Sequence, residues 1–511
     1  MTRAKALMVL GTGSDVGKSV IAAGFCRLLS DMGVLVAPFK AQNMSNNSYV
    51  TKEGGEMGRA QVVQAECARV LPHTDMNPIL LKPSEDNSSQ VVIQGRAAGN
   101  MNARDYYEEM NKQRVLKAVR ESYERLAAKY DVIVLEGAGS CAELNLKDND
   151  CVNLSMAEWA DARCVLVGDI DRGGIFASLI GTVDLLTPAE RDRIDGLIVN
   201  KFRGDLGLFE SGIEILQKKS GKPVWGVLPY DPELQIDAED AVSVQGLGAA
   251  QEQEVFDFSI LDIGVVLLPR MSNFTDFDIL RETPGVRLRY IRGLNDFGNP
   301  DLVILPGTKA TAGDLTYLVR CGMAKKIQDY FETGGRILGV CGGFQMLGDE
   351  ITDSGASESA DKAARGLGFF RMKTEFAPDK VLKQVSDQID AALFGSKVCG
   401  PVEGYEIHMG RSDWQVGYEN FGREGAVHTS GRIAGTYYHG LFDSVIFRNS
   451  FLNALARSAG KPFPLKTENL SARELREANY SRLATLLGRH LNLDYLTECL
   501  NLQLPSSLTL L

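Results

Sequence analysis

What the chain lacks narrows its function first. No apolar run approaches the ~18 residues of a membrane span, so no membrane partner is expected. The opening residues run straight into a strand-like segment with no signal-peptide pattern, which sets a cytoplasmic expectation. The nine cysteines are scattered, odd in number and include no Cys-x-x-Cys; that fits a reducing compartment and argues against a structural zinc site. Positive charge is in deficit: 55 Lys and Arg against 66 Asp and Glu leave −11. A general nucleic-acid binder is thereby disfavoured, although a local basic pocket can still hold an anionic substrate. Histidine is scarce, five in all, so a catalytic imidazole has few candidates. No repeat with a period of roughly 20–50 residues is present.

What is present is ordinary for a soluble globular protein, with 44% hydrophobic and 24% charged residues. A length of 511 residues suffices for two or three domains. In the first half, "ALMVLG", "VLVAPF", "DVIVLEG", "RCVLVGDID", "IDGLIVNKF" and "PVWGVLP" are short apolar runs that end in glycine or polar residues. Buried parallel strands with helical crossovers give this pattern. A second series follows in "LDIGVVLLP", "VRLRYI", "DLVILPG" and "RILGVCGG", with a helical stretch over 310–335. The expected fold class is α/β: two doubly wound parallel-sheet domains with a helical C-terminal tail. The divisions are 1–240, a linker at 241–258, 259–450, and a helical extension at 451–511. The small, polar segment 352–366 is expected to be a mobile loop. The oligomeric state is left open.

The first chemistry-bearing motif is "GTGSDVGKSV", from Gly11 to Val20. The common phosphate loop has four residues between its first glycine and Gly-Lys-Ser/Thr; here five separate Gly11 from Gly17. A dinucleotide turn needs its third glycine one residue earlier, and Lys18 would crowd a pyrophosphate held by backbone alone. A bland turn leaves Gly-Lys-Ser at the head of a helix unexplained. A phosphate loop explains all of it: Gly11, Thr12, Gly13, Asp15, Val16 and Gly17 wrap the phosphates of ATP. Lys18 then neutralises the β- and γ-phosphates, and the Ser19 hydroxyl can ligate Mg²⁺. The longer loop resembles that of dethiobiotin synthetase and its relatives, which use ATP to activate a carboxylate.

Other strand ends supply partners. Lys40 and Asn43, in "PFKAQNMSNNS", lie at the carboxyl edge of the sheet, where doubly wound folds bind ligands. Glu136 closes a buried strand beside two glycines, a position suited to Mg²⁺. Asp169, Asp171 and Arg172 precede Gly-Gly and are candidates for substrate carboxylates or a developing phosphate. Asn200 follows another strand and is placed to meet a purine edge.

The second motif is "GVCGG", a Gly-x-Cys-x-Gly elbow between a strand and a helix. The turn lifts the Cys341 thiol out of the sheet, and the helix N-terminus favours its thiolate. Its base is expected to be His439, at a strand end before glycine, with His408 as the rival. Gly307, in the "LPGTKAT" turn, and Gly342 are candidate oxyanion donors. This half resembles the class I glutamine amidotransferase domain. Most of that class carry His-x-Glu, whereas Leu441 stands two residues after His439; Glu406 or Glu403 is left to orient the imidazole, or a Cys–His dyad suffices.

Together the two halves resemble the cobyrinate-type amidotransferases of cobalamin biosynthesis. The words "SDVGKS", "PFKAQNMSNNS", "GRAQVVQAECA", "MNPILLKPSED", "DIDRGGIFA", "NKFRGD", "CGGFQMLG" and "EGYEIHMG" carry the match over nearly the whole chain. Departures fall at Cys141, where the family has proline, and at Ser45 or Asn46, where it has a more apolar residue. The resemblance implies a corrinoid substrate, adenosylcobyrinic acid a,c-diamide, amidated at four peripheral carboxylates with glutamine as nitrogen donor and ATP and Mg²⁺ as cofactors. The family also contains enzymes that amidate the a and c carboxylates instead; "PFKAQNMSNNS" and "NKFRGD" favour the former. A P-loop switch ATPase with a non-catalytic amidotransferase-like domain is the rival of another class.

Overall fold

A computed structural model describes residues 3–85, 88–106, 108–239, 260–353, 363–414, 417–462 and 470–502. The expected linker 241–258 lies outside the described residues. The first-half strands assemble into one six-stranded sheet in the spatial order Val224–Pro229, Ile194–Phe202, Arg163–Asp169, Lys5–Gly11, Val132–Glu136, Val36–Phe39, parallel throughout. Its central strands are apolar and buried along their length because helices cover both faces. The chain leaves Lys5–Gly11 for one edge and later returns to the other side of it. The phosphate loop therefore opens at the point where strand order reverses, the crevice that such sheets offer to ligands.

The second half builds a seven-stranded sheet in the order Val286–Ile291, Leu261–Val266, Leu302–Leu305, Ile337–Val340, Ile433–Thr436, Gly425–Val427, Glu419–Asn420. The first five strands are parallel and the last two antiparallel. The helical stretch after Leu305 is two helices, Thr311–Arg320 and Met323–Glu332, separated at Gly322 with φ 80°.

Further sheets of mixed pairing add to the two doubly wound sheets, antiparallel except where Gln42–Met44 pairs with Ile79–Glu85 and Glu350–Thr352 with Met372–Leu393. Strands Gln42–Met44, Ile79–Glu85, Ser88–Ile93 and Arg96–Asn102 form a small sheet in the first half. In the second half, Met372–Leu393 and Ser396–Trp414 form a long hairpin that also pairs with Tyr438–His439. The segment 352–366 differs from the expected loop at its ends, because Glu350–Thr352 and Ala363–Arg365 pair as antiparallel strands; residues 354–362 lie outside the described residues.

The helical tail behaves differently from an appendage. The boundary drawn at 450 falls inside the helix Val445–Ser458. Beyond it, Ala472–His490 starts with a capping box between Ser471 and Glu474 and crosses back to the first half. There its Leu483 and Leu487 pack on the helix Lys18–Asp31. A Cβ at Gly24 would lie 2.4 Å from Leu487 Cδ2, so glycine is what permits that close approach. Arg27 donates to Glu477, and the Trp225 and Tyr495 rings stack 6.2 Å apart. Among the described residues no helix is long and apolar enough to cross a membrane.

Candidate active sites

The phosphate loop is held from beneath by Asn200, in the strand Ile194–Phe202. Asn200 Nδ2 donates to Val16 O at 2.8 Å, and a Cβ at Gly17 would lie only 2.2 Å from that nitrogen. Asn200 is thus tied to the loop backbone. Lys18 Nζ donates to Gly13 O at 2.7 Å and to Gly139 O at 2.8 Å. It spans the loop mouth, and burial lowers its pKa. Thr12 bridges to Ser140, and Cys141 N donates to Gly11 O.

Ser19, at the head of the helix Lys18–Asp31, comes together with Lys40 and Glu136, which follow or close strands of the first sheet. Ser19 Oγ donates to Glu136 Oε1 at 2.6 Å, and Lys40 Nζ lies 2.9 Å from the same oxygen. Gln64 and Gln61 donate to the other carboxylate oxygen at 2.6 and 3.3 Å. Asn43 joins this cluster through Gln61, at 3.0 Å. Sequence reasoning missed Glu239, which accepts from Lys40 at 2.7 Å and from Ser19 at 3.1 Å; no motif surrounds it. Burial disfavours the Lys40 ammonium, but Glu136 and Glu239 prevail and hold its pKa above the ordinary lysine value. Lys40 likewise draws the Glu239 carboxyl below its usual range against the cost of burial. Ser19, Glu136 and Glu239 present hydroxyl and carboxylate oxygens from three segments, a donor set that fits a hard divalent cation.

Asp169, Asp171 and Arg172 gather on the other side of the loop. Asp169 Oδ2 meets Lys201 Nζ at 2.9 Å and Arg172 Nε at 3.9 Å, and Arg172 also reaches Asp15 at 3.6 Å. Asp171 pairs with Arg203. Beside the loop opens a cavity of about 230 Å³, lined among others by Gly139, Cys141, Glu143, Lys147, Asp150 and Asn153. Burial pushes the Cys141 thiol up to about 12, so it behaves as a neutral wall residue.

In the second half, Cys341 occupies φ 53°, ψ −112° between Ile337–Val340 and the helix Gly342–Met346. An L-residue holds that conformation only when its surroundings impose it, and such strain marks a nucleophile elbow. Gly343 lets the turn close, since a Cβ there would lie 2.0 Å from Leu305 O. His439, buried at the end of Tyr438–His439, brings its Nδ1 to 2.6 Å from Asp276 Oδ2. Gly440 N donates to Asp276 Oδ1 at 3.1 Å, and the Tyr405 ring stacks on the imidazole at 5.2 Å. Burial alone would keep this histidine neutral. The Asp276 carboxylate and then a hydrogen bond with Cys341 outweigh it and raise its pKa to about 10.

The third member expected among Glu406, Glu403 or none is therefore corrected to Asp276. It sits in the 3₁₀ turn Phe274–Phe277, 163 residues before His439. Glu406 instead pairs with Lys383 at 3.0 Å, and Glu403 is exposed on the hairpin opposite Ser386. His408 turns its Nδ1 to Gly410 O at 2.8 Å and stacks on Tyr437. The two candidate oxyanion glycines border the same space: a Cβ at Gly307 would lie 3.3 Å from His439 Cε1, and one at Gly342 would lie 3.1 Å from Thr308 N. A small cavity adjoins Cys341, with Lys82, Thr308, Gln345, Lys380 and His408 in its wall.

The two centres share a frame. Asn273, three residues before Asp276, donates to Ser48 O at 3.0 Å and to Tyr405 Oη at 2.8 Å. Thr275 donates to Asn47, and Ser45 donates to the backbone oxygen of Glu239. The turn that carries Asp276 thus rests on the loop that touches the Glu239 segment.

Residues 7–244 match the CobQ/CobB/MinD/ParA nucleotide binding domain, and residues 262–447 match the CobB/CobQ-like glutamine amidotransferase domain. Full-length similarity is also present. A cobyric acid synthase of Syntrophobacter fumaroxidans is 48% identical over 98% of this chain and 99% of its own. Cobyric acid synthases of Listeria innocua and Alkaliphilus metalliredigens are each 44% identical, over 98% and 96% of this chain and 99% of their own.

Proposed function

The chain belongs to the cobyric acid synthase family, and from that premise we propose how its two centres divide one reaction. The protein is a glutamine-dependent amidoligase of cobalamin biosynthesis, with adenosylcobyrinic acid a,c-diamide as substrate and carboxylates b, d, e and g as the positions amidated. We assign carboxylate activation to residues 1–240 and glutamine hydrolysis to residues 259–450.

Free carboxylate is a poor electrophile because oxide or hydroxide would have to leave. In the first half, a substrate carboxylate oxygen attacks the γ-phosphorus of ATP held by Gly11–Ser19, ADP departs, and an acyl phosphate forms. Lys18 and the loop N–H groups stabilise the charge that passes to the β–γ bridging oxygen. Arg172 and Lys201 edge the same mouth and suit the anionic substrate. Bound Mg²⁺ would be held by Ser19 and Glu136, with Glu239 in reach, and would offset phosphate charge.

In the second half, the Cys341 thiolate attacks the glutamine carboxamide carbon. The oxyanion points to the backbone around Gly307 and Gly342. His439 gives its proton to the departing nitrogen, so ammonia leaves and a glutamyl thioester remains. Water then hydrolyses the thioester, with His439 taking its proton. Ammonia attacks the acyl phosphate, and inorganic phosphate departs as the carboxamide forms.

The observation that carries this reading is the joint construction of both centres in one chain. An intact Cys341–His439–Asp276 arrangement stands beside an intact Lys18–Ser19–Glu136 arrangement. A switch ATPase with an idle amidotransferase-like half has no use for the former. The test is mass spectrometry of adenosylcobyrinic acid a,c-diamide incubated with ATP, Mg²⁺ and glutamine. Four successive exchanges of hydroxyl for amino are expected. No exchange, with ATP hydrolysis indifferent to corrinoid and glutamine, would overturn the reading.

A further inference from the structure

Three buried charged residues at the junction of the two halves have no part in the chemistry above. Glu56, fully buried, accepts from Lys82 Nζ on Oε1 at 2.6 Å and from Lys380 Nζ on Oε2 at 2.5 Å. Lys82 comes from the first-half strand Ile79–Glu85. Lys380 comes from the second-half hairpin, at an irregularity between Phe376 and Val381 that faces His408 across the ladder. Such a bulge re-aims a side chain that regular pairing would direct elsewhere. Both lysine side chains are more than nine-tenths buried, and both line the cavity that Cys341 lines.

Two ammonium groups share one carboxylate, so the cluster carries a surplus positive charge in a buried wall. Buried charge is tolerated when it is paired. Each ammonium has three N–H donors. Lys82 spends one on Glu56 and one on Ser48 Oγ at 2.8 Å; Lys380 spends one on Glu56 and one on Gln90 Oε1 at 3.2 Å. One N–H on each is left among the described residues. We propose that Lys82 and Lys380, one from each half of the chain, jointly hold the α-carboxylate of glutamine while its carboxamide lies against Cys341. This rests on the reading of Cys341 as the glutaminase nucleophile.

The carboxylate of a bound glutamine would neutralise the surplus, and Cys341 lines the same cavity as the two lysines. Lys309 also faces the cavity, and among the described residues no carboxylate lines it. Burial, with Lys380 nearby, depresses the Lys82 pKa to about 8 against the pull of Glu56; an arriving carboxylate would restore it. One consequence is architectural. The glutamine site is incomplete without the ATP-binding half, so an isolated second half would bind glutamine poorly.

The test uses the full chain and steady-state glutamate release, without corrinoid. Two variants are compared: Lys380→Met, and the pair Lys82→Met with Glu56→Gln, which avoids leaving Glu56 with a single cation. Losing a charge-assisted bond should raise KM for glutamine by ~10–100-fold while kcat changes far less. The second probe is glutamine α-amide, in which a carboxamide replaces the carboxylate. Wild-type protein should prefer glutamine over it, and both variants should lose that preference by the same factor as the rise in KM. Lys380→Arg should recover part of it. Ammonium-driven amidation reports whether the ATP half is intact, and excludes a corrinoid carboxylate as the true ligand if its KM for corrinoid is unmoved. If KM and the preference stay at wild-type values while only the melting temperature falls, the three residues are a structural lock and the proposal fails. Glutamine hydrolysis surviving in Cys341→Ser would instead overturn the underlying glutaminase reading.

Discussion

The ATP centre and the glutaminase centre are built by opposite strategies. The first is largely one consecutive run, Gly11–Ser19, supplemented by residues at the ends of neighbouring strands of one sheet. The second draws Asp276, Cys341 and His439 from three separate segments, and its cavity takes Lys82 from the other half. Phosphate recognition needs successive backbone N–H groups, which adjacent residues supply. Acyl transfer needs three side chains converging from different directions, which only a completed fold supplies. The loop can therefore work with little help from its surroundings, whereas the triad inherits every error in docking.

Substitutions can sharpen or break that contrast. Lys18→Ala should have the largest effect: amidation ceases with glutamine and with ammonium alike, because no acyl phosphate forms. Product analysis with each nitrogen donor checks this, and undiminished amidation would remove Lys18 from the ATP centre. Cys341→Ser should be nearly as severe with glutamine, by orders of magnitude, since a serine hydroxyl stays protonated where a thiol ionises. Ammonium-driven amidation should persist, and its loss in a correctly folded variant would show that the centres are not separable. Asp276→Asn should lower glutamate release by ~10²–10⁴-fold, measured beside Glu406→Gln, which should change it little. Comparable losses in both would return the third role to Glu406.

Asp276→Asn also has a signature in stability. The His439 pKa is raised from 6.5 to about 10. A raised pKa means that the imidazolium stabilises the fold fully below about pH 6.5, and that this contribution fades as pH rises through about 10. The variant loses the main support of the raised value, so its melting temperature should depend less on pH across that window. An unchanged slope would separate the imidazolium from Asp276. The smallest effect on chemistry is expected from Leu487→Ala: about 2–5 kcal/mol of stability from a fully buried site, measured by denaturant unfolding, with both half-reactions intact at low temperature.

The contrast also explains what the sequence could reveal. Parallel strands buried on both faces announce themselves as apolar runs, and all six strands of the first sheet fall on such runs. The elbow was legible because its strained backbone forces glycines around Cys341. Asp276 was not, because an acidic residue in "MSNFTDFD" looks like any other acid in a polar turn. What makes it special is Gly440 N and His439 Nδ1, brought up by a strand far along the chain. Asn200 was legible as a polar residue at a strand end; what the sequence could not show is its bond to the loop backbone at Val16 O, because that contact joins segments far apart in the chain. The long hairpin 372–414 escaped notice because its partly exposed strands alternate weakly.

The returning helix Ala472–His490 sets a schedule for biosynthesis. The ATP-binding half emerges from the ribosome first, yet the apolar face of Lys18–Asp31 is covered by Leu483 and Leu487, which are made last. At ~5–20 residues per second, synthesis of the intervening second half takes on the order of tens of seconds. Throughout that interval the nascent first half carries an open greasy groove beside its phosphate loop. A chaperone that shields this surface, or a pause that lengthens the wait, would then act on the yield of folded enzyme before either catalytic centre is complete.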